Sequence, residues 1–141
     1  FMDRLAGNYA FMVMDNEAGM EHLSRRTTQN IDELLLVSNH SVKGIRTIAR
    51  LKELIDELKL VVKRQSVIVN FVPEAVDPKI EQEMTRLGIK AAAIVPLDEA
   101  IGQFDLEMKS LLDLPDSKAT KAVDKLIAEL LPSEKVQAMK T

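Results

Sequence analysis

Apolar and polar positions alternate along the chain on two different periods, and the change of period marks its elements. Short runs of four to eight residues, rich in apolar and β-branched side chains, stand between longer stretches whose apolar residues recur every three or four positions. The runs are Phe11–Met14, Glu33–Val37, Gln65–Val72 and Ala91–Val95. Runs this short suit strands buried on both faces, although pattern alone leaves a buried helix turn open for Phe11–Met14. The longest helix is expected over Val42–Leu58, capped by Ser41, with Ile45, Ile48, Leu51, Ile55 and Leu58 forming one apolar stripe. Lys43, Arg46, Arg50, Glu53 and Glu57 fall largely on its other side. Asp77-Pro78 starts a helix that runs to Leu87 and stops at Gly88, a left-handed cap. Asp98 caps a further helix through Gly102 or slightly beyond, and Asp105–Pro115 suggests a helix broken near Lys109. Ser117 caps a last amphipathic helix with Ala122, Val123, Leu126, Ile127 and Leu130 on one face, ended by Pro132. Residues 1–8 read as the tail of a helix stopped by Gly7 and Asn8, and Ser24–Asn30 as a short helix. Strands alternating with helices predict an α/β fold, a mostly parallel open sheet with helices on both faces. One domain is expected over residues 1–132, with a frayed tail at 133–141.

Composition narrows the chemistry. The 141 residues suffice for one real core, with 46% apolar and 29% charged positions. Aromatics make up 4%, Trp is absent, and the formal net charge is −3, so neither a base-stacking platform nor a general nucleic-acid binder is expected. Without Cys, this chain alone builds no disulfide scaffold, zinc ribbon, iron–sulfur cluster or thiol nucleophile. No apolar stretch is long enough for a membrane span and no signal peptide is evident, which makes a cytoplasmic location the expectation. The first residue is Phe1 rather than Met, which suggests a processed or truncated product.

The chemistry-bearing stretch is Asp15-Asn-Glu-Ala-Gly19-Met-Glu-His22-Leu, set directly after the apolar run Phe11–Met14. An acid at the carboxyl end of a strand lies on the rim of an open α/β sheet, where ligands bind. There Asp15 either orders a Mg²⁺ ion, as in nucleotide-hydrolysing domains, or simply caps the next turn. Asn70 ends a strand, and Pro96 and Asp98 follow another; turn, strand-stop and helix-cap roles account for these three equally on spacing alone. Glu17 and Glu21 flank the block as water-orienting or solvated acids. His22 beside Glu21 suggests a metal site, but adjacent helix residues do not face one another, so a structural or partner-contact role fits better. His40 reads as a loop residue, Arg25 and Arg26 as a solvated face or a docking surface for an acidic partner, and the seven Met as core fillers.

The block resembles the switch-II segment of Min/Par-type P-loop ATPases, above all the CooC-type accessory ATPases that insert nickel into carbon monoxide dehydrogenase. The resemblance continues through Asp32-Glu-Leu-Leu-Leu-Val-Ser-Asn39, Ser41-Val-Lys-Gly-Ile-Arg46, Val67-Ile-Val-Asn70, Ile94-Val-Pro96-Leu-Asp98 and Ser117-Lys-Ala119. It covers nearly the whole chain in order; the Asp15–Leu23 block is fairly specific, and the rest is shared by many Min/Par relatives. It implies ATP and Mg²⁺ as cofactors, with Asp15 holding a Mg²⁺-bound water and Gly19 letting the backbone approach the γ-phosphate. It also implies Asn70 on the adenine, Pro96 and Asp98 in the base-side loop, a homodimer, and carbon monoxide dehydrogenase as client. The departure is plain. Glycines stand at 7, 19, 44, 88 and 102, and none forms the Gly-x-x-x-x-Gly-Lys-Ser/Thr phosphate loop. The chain therefore reads as the carboxyl-terminal half of such an ATPase, inactive alone and prone to self-association through exposed sheet edge. Competing readings are a receiver-like signalling module, for which Lys90 stands at the wrong end of its strand, a dimerisation or docking module, and a partition or cobyrinate-amidating ATPase.

Overall fold

The structure, a computed structural model, describes residues 9–16, 30–114 and 116–131. Its spine is three parallel strands, β1 (Asn30–Asn39), β2 (Val61–Val72) and β3 (Ala91–Pro96), in the order β1-β2-β3. Helices α1 (Val42–Glu57) and α2 (Pro78–Arg86) form the crossovers, α3 (Glu99–Leu106) follows β3, and α4 (Lys118–Leu130) closes the described chain. A one-turn 3₁₀ helix, Leu111–Asp113, lies between α3 and α4. The expected α/β class, parallel sheet and two-sided helical cover are what the chain forms.

The middle strand explains the layering. Val67, Ile68 and Val69 are all buried because β2 has a strand on each side and a helix layer on each face. Val67 and Val69 pack with Leu36 under α1 and α2, joining Ile45, Ile48, Ile55, Ile80 and Met84. Ile68 turns to the opposite face, where it meets Val95, Ala119 and Leu126. Among the described residues α4 covers that second face with help from Ile101 of α3, and Leu35 and Val37 of β1 stay 44% and 57% exposed there.

Helix α1 is held by its stripe rather than by propensity. Gly44 costs a helix interior about 1 kcal/mol. Burial of Ile45, Ile48 and Ile55, at 0%, 1% and 2% exposure, returns roughly 1.5–3 kcal/mol each. The Gly is required where it stands: a Cβ at Gly44 would lie 2.2 Å from Ser38 Oγ and 2.5 Å from Asn39 Oδ1. Helix α2 starts as its sequence predicts, with Pro78 in the first turn and the Lys79 N–H donating to Asp77 Oδ1 at 2.8 Å. It ends at Gly88, whose φ of +65° is the left-handed stop.

Other boundaries differ for physical reasons. Phe11–Met14 forms no strand: Val13 is 93% exposed, and the segment joins no ladder among the described residues, which a doubly buried strand requires. The helix expected at Ser24–Asn30 lies mostly outside the described residues, and Asn30 opens β1 instead. Both β1 and β2 begin earlier than their apolar runs, because ladder pairing carries polar residues such as Lys63 and Arg64 into the strand. On α4 the buried stripe is Ala119, Ala122, Leu126 and Leu130, while Val123 and Ile127 are 39% and 42% exposed. The helix tail at residues 1–8 and the tail at 133–141 lie outside the described residues.

One charged cluster rivets α1 to α2. Glu83, its side chain only 10% exposed, accepts from Arg46 Nε at 2.6 Å and from Arg86 Nη2 at 2.8 Å. Hydrogen bonds from Arg86 and then Arg46 outweigh desolvation and hold its carboxyl at a pKa of about 2, below the usual 4.5. A depressed folded-state pKa means that this stabilisation is complete above pH about 4.5 and lost as the pH falls through about 2. Glu83→Gln should therefore flatten the acid limb of the stability profile between those values, read by thermal melts from pH 2 to 7. An unchanged acid limb would show that the cluster is not linked to folding.

Candidate nucleotide-binding site

Parallel strands end on one rim, and three connections gather there. Asn39, the last residue of β1, is the register partner of Asn70, two residues before the end of β2, and Val72 faces Pro96 across β2 and β3. The Leu97 N–H donates to the Val72 carbonyl at 2.7 Å, extending that contact one residue past β3. This is the edge of an open α/β sheet where ligands sit.

The first connection, Ser38–Ser41, is fixed by a close hydrogen-bond net. Ser41 Oγ donates to Asn39 Oδ1 at 2.7 Å and accepts the Gly44 N–H at 2.9 Å, capping α1. Ser38 Oγ donates to the Asn39 carbonyl at 2.8 Å. His40, expected to be an ordinary loop residue, accepts the Asp77 N–H at 3.0 Å through Nε2 and so links this turn to the start of α2.

The second connection carries Asn70. The Phe71 N–H donates to Asn70 Oδ1 at 2.9 Å, which fixes the amide and leaves its NH₂ without a partner among the described residues. Those two donors suit a ring nitrogen such as those of adenine. The residue that sequence reasoning misplaced is Phe71. It stands in an apolar run that suits a strand buried on both faces, yet it is 58% exposed and sits at φ +60°, where the β2–β3 register shifts. A bulky residue in the left-handed region is strained and tends to mark a functional turn. The rim there is bulged rather than regular.

The third connection is built on Asp98. Its Oδ1 accepts the Ala100 N–H at 3.1 Å, capping α3. Its Oδ2 accepts Ser117 Oγ at 2.7 Å and the Ala119 N–H at 3.3 Å, so it also steadies the start of α4. The Ser117 hydroxyl foremost, then the amides of Ala119, Ala100 and Lys118, keep its pKa below the ordinary aspartate value. Asp98 therefore acts first as the brace of two helix starts, with Pro96 as the strand stop beside it. Nothing in the sequence joined Asp98 to Ser117, which are nineteen positions apart.

Asp15 is exposed, at the end of the described amino-terminal segment. Gly19, Glu17, Glu21, His22, Arg25 and Arg26 lie outside the described residues. No group of three or more metal-ligating side chains gathers among the described residues, and no described helix is long and apolar enough to cross a membrane.

Known structures share this fold. The chain superposes on the MinD cell division protein of Aquifex aeolicus with a TM-score of 0.57 and 22% identity, over 72% of this chain and 46% of that one. It superposes on a ParA family ATPase of Chlorobium tepidum with a TM-score of 0.55 and 23% identity, over 72% of this chain and 41% of that one. Its fold is that of part of a MinD/ParA-type ATPase. The sequence is 35% identical to an ATP-binding protein of Methanocaldococcus jannaschii over 134 residues, which is 95% of this chain and 53% of that protein. The chain thus spans about half the length of the relative it matches. No family model matches it.

Two substitutions test this rim. Asp98→Ala should lower the thermal midpoint by several degrees, since it uncaps α3 and removes the brace on Ser117 at the start of α4, with Asp98→Asn intermediate. Equal midpoints for Asp98→Ala and the parent would remove Asp98 as a brace. Gly44→Ala should destabilise by about 1–3 kcal/mol despite a better helix propensity, because the new methyl meets Ser38 and Asn39. Denaturant unfolding reads this, and a stabilised variant would contradict the close approach.

Proposed function

We propose that this chain is the base-side half of an ATP-hydrolysing switch protein of the Min/Par class, and that the whole protein inserts nickel into carbon monoxide dehydrogenase. The observation that carries the ATP reading is Asn70, at the end of the middle strand with its amide oriented by Phe71 and its NH₂ open. The 35% identity to an ATP-binding protein supports it.

The residues divide the work as follows. Asn70 donates to a ring nitrogen of adenine, Pro96 and the turn after it wall the base, and Asp98 holds that wall in place from behind. Asp15 would hold a Mg²⁺-bound water through its exposed carboxylate, and Gly19 is the residue that the resemblance assigns to the γ-phosphate. Bound Mg²⁺ offsets the negative charge of the phosphates. The phosphate loop belongs to the part of the protein outside this chain, as do the ligands for nickel, which is cargo. Two copies would close on nucleotide as a homodimer, so that the switch segment after Asp15 links phosphate occupancy to the dimer contact. The nickel assignment rests on the Asp15–Leu23 block alone. The other blocks fit a partition or cobyrinate-amidating ATPase equally.

In the full-length protein, Asn70→Ala should weaken ATP binding about 10–100-fold, the loss of one or two well-placed hydrogen bonds, with little effect on folding. Asp15→Asn should retain nucleotide yet hydrolyse it at least about 100-fold more slowly. Calorimetry and phosphate release read the two effects, and unchanged ATP affinity in Asn70→Ala would overturn the adenine assignment. ATP-dependent activation of nickel-free carbon monoxide dehydrogenase by the purified protein tests the client; an active ATPase without that effect points to another Min/Par role.

A further inference from the structure

The stretch between the two ends of the Asp98 brace is an outlier in both charge and exposure. Residues 97–116 hold six acids (Asp98, Glu99, Asp105, Glu107, Asp113, Asp116) and one base, Lys109, in a chain whose formal net charge is only −3. Within it, Leu106, Met108 and Leu112 are 87%, 94% and 96% exposed, and Leu111 is 47% exposed. Isolated exposed leucines are ordinary, but four large apolar side chains within seven positions make a patch, and such patches mark interaction sites.

The backbone presents these side chains by construction. The Met108 N–H donates to the Asp105 carbonyl and the Lys109 N–H to the Phe104 carbonyl, ending α3 with Met108 at φ +53°. Ser110 Oγ accepts the Leu112 N–H at 3.2 Å and starts the 3₁₀ turn. The Asp98–Ser117 hydrogen bond ties the two ends of the projection together at 2.7 Å.

The charges around the patch are unbalanced. Lys109, the one cation, pairs with Glu107 and lies 5.4 Å from the centre of the Phe104 ring. Asp116 pairs with Lys121. Asp105 and Asp113 have no cationic partner among the described residues. The patch is therefore apolar at its centre and anionic at its rim, and the surface that complements it is apolar with a cationic rim.

We propose that the projection from Glu99 to Leu114 is a docking surface for a protein partner that presents a basic amphipathic helix. Leucines of the partner would seat among Leu106, Met108 and Leu112, and its lysines or arginines would face Asp105 and Asp113. Flexible methionine suits such a contact. An anionic lipid surface would be repelled by the same acids, and a second copy would bring like charges together.

The test uses the full-length protein and, as probe, a labelled synthetic helix with leucine on one face and lysine on the other, read by fluorescence anisotropy. Saturable binding should weaken about tenfold or more in Leu106→Ser/Met108→Ser/Leu112→Ser and again in Asp105→Lys/Asp113→Lys. It should change less than about twofold in Asp56→Lys/Glu74→Lys, which alters charge equally elsewhere. The serine variant alters exposed side chains, and circular dichroism confirms its fold. Equal binding by the patch variants, or an equal loss in the Asp56/Glu74 control, overturns the proposal. So does equal binding of a leucine–glutamate helix. Patch-dependent sedimentation with phosphatidylglycerol vesicles, or self-association that the serine variant abolishes, assigns the surface to another occupant and overturns it too.

Discussion

A parallel strand with neighbours on both sides must be apolar on both faces, and Val67-Ile68-Val69 of β2 meets that demand without a polar interruption. Much of the molecule follows. The two faces of this strand seed two separate cores, one under α1 and α2 and one under α4. Because all three strands run the same way, their polar ends must collect on one rim. Asn39, Asn70 and Asp98 are there because burial of the strands leaves them nowhere else to be.

The rim is ordered by short polar contacts rather than by packing. Ser38, Asn39, Ser41 and Gly44 lock the first turn, Asn70 steadies the strained Phe71, and Asp98 anchors two helices. Of these side chains, Ser41 and Asp98 are the two that the sequence marks as helix caps. Together they order the rim on folding, so any ligand that binds there meets a preset surface. Asp98 also ties together the two ends of the acidic, apolar stretch that begins at this rim.

Periodicity and capping made most of the fold legible. Helix α1 follows from its isoleucine spacing, α2 from Asp77-Pro78 and Gly88, and α4 from Ser117. The failures share one cause, dependence on partners distant in sequence. Phe11–Met14 has a strand's composition, yet Val13 is 93% exposed and these residues form no strand. Phe71 sits in an apolar run, and only the register shift of β2 against β3 turns it outward. The bond between Asp98 and Ser117 joins two residues that each looked like a simple helix cap. Asn70 was legible as a strand end, whereas the orientation of its amide needed the Phe71 N–H.

The central claim is that the ends of β1, β2 and β3 form the base-side wall of an ATP site. Amide hydrogen exchange of the full-length protein with and without ATP and Mg²⁺ tests it most directly. New protection is expected at Asn70–Val72 and at Leu97, with α2 and the N-terminal ends of the strands unchanged. Protection confined to regions away from that rim, or none at saturating ATP, would contradict it.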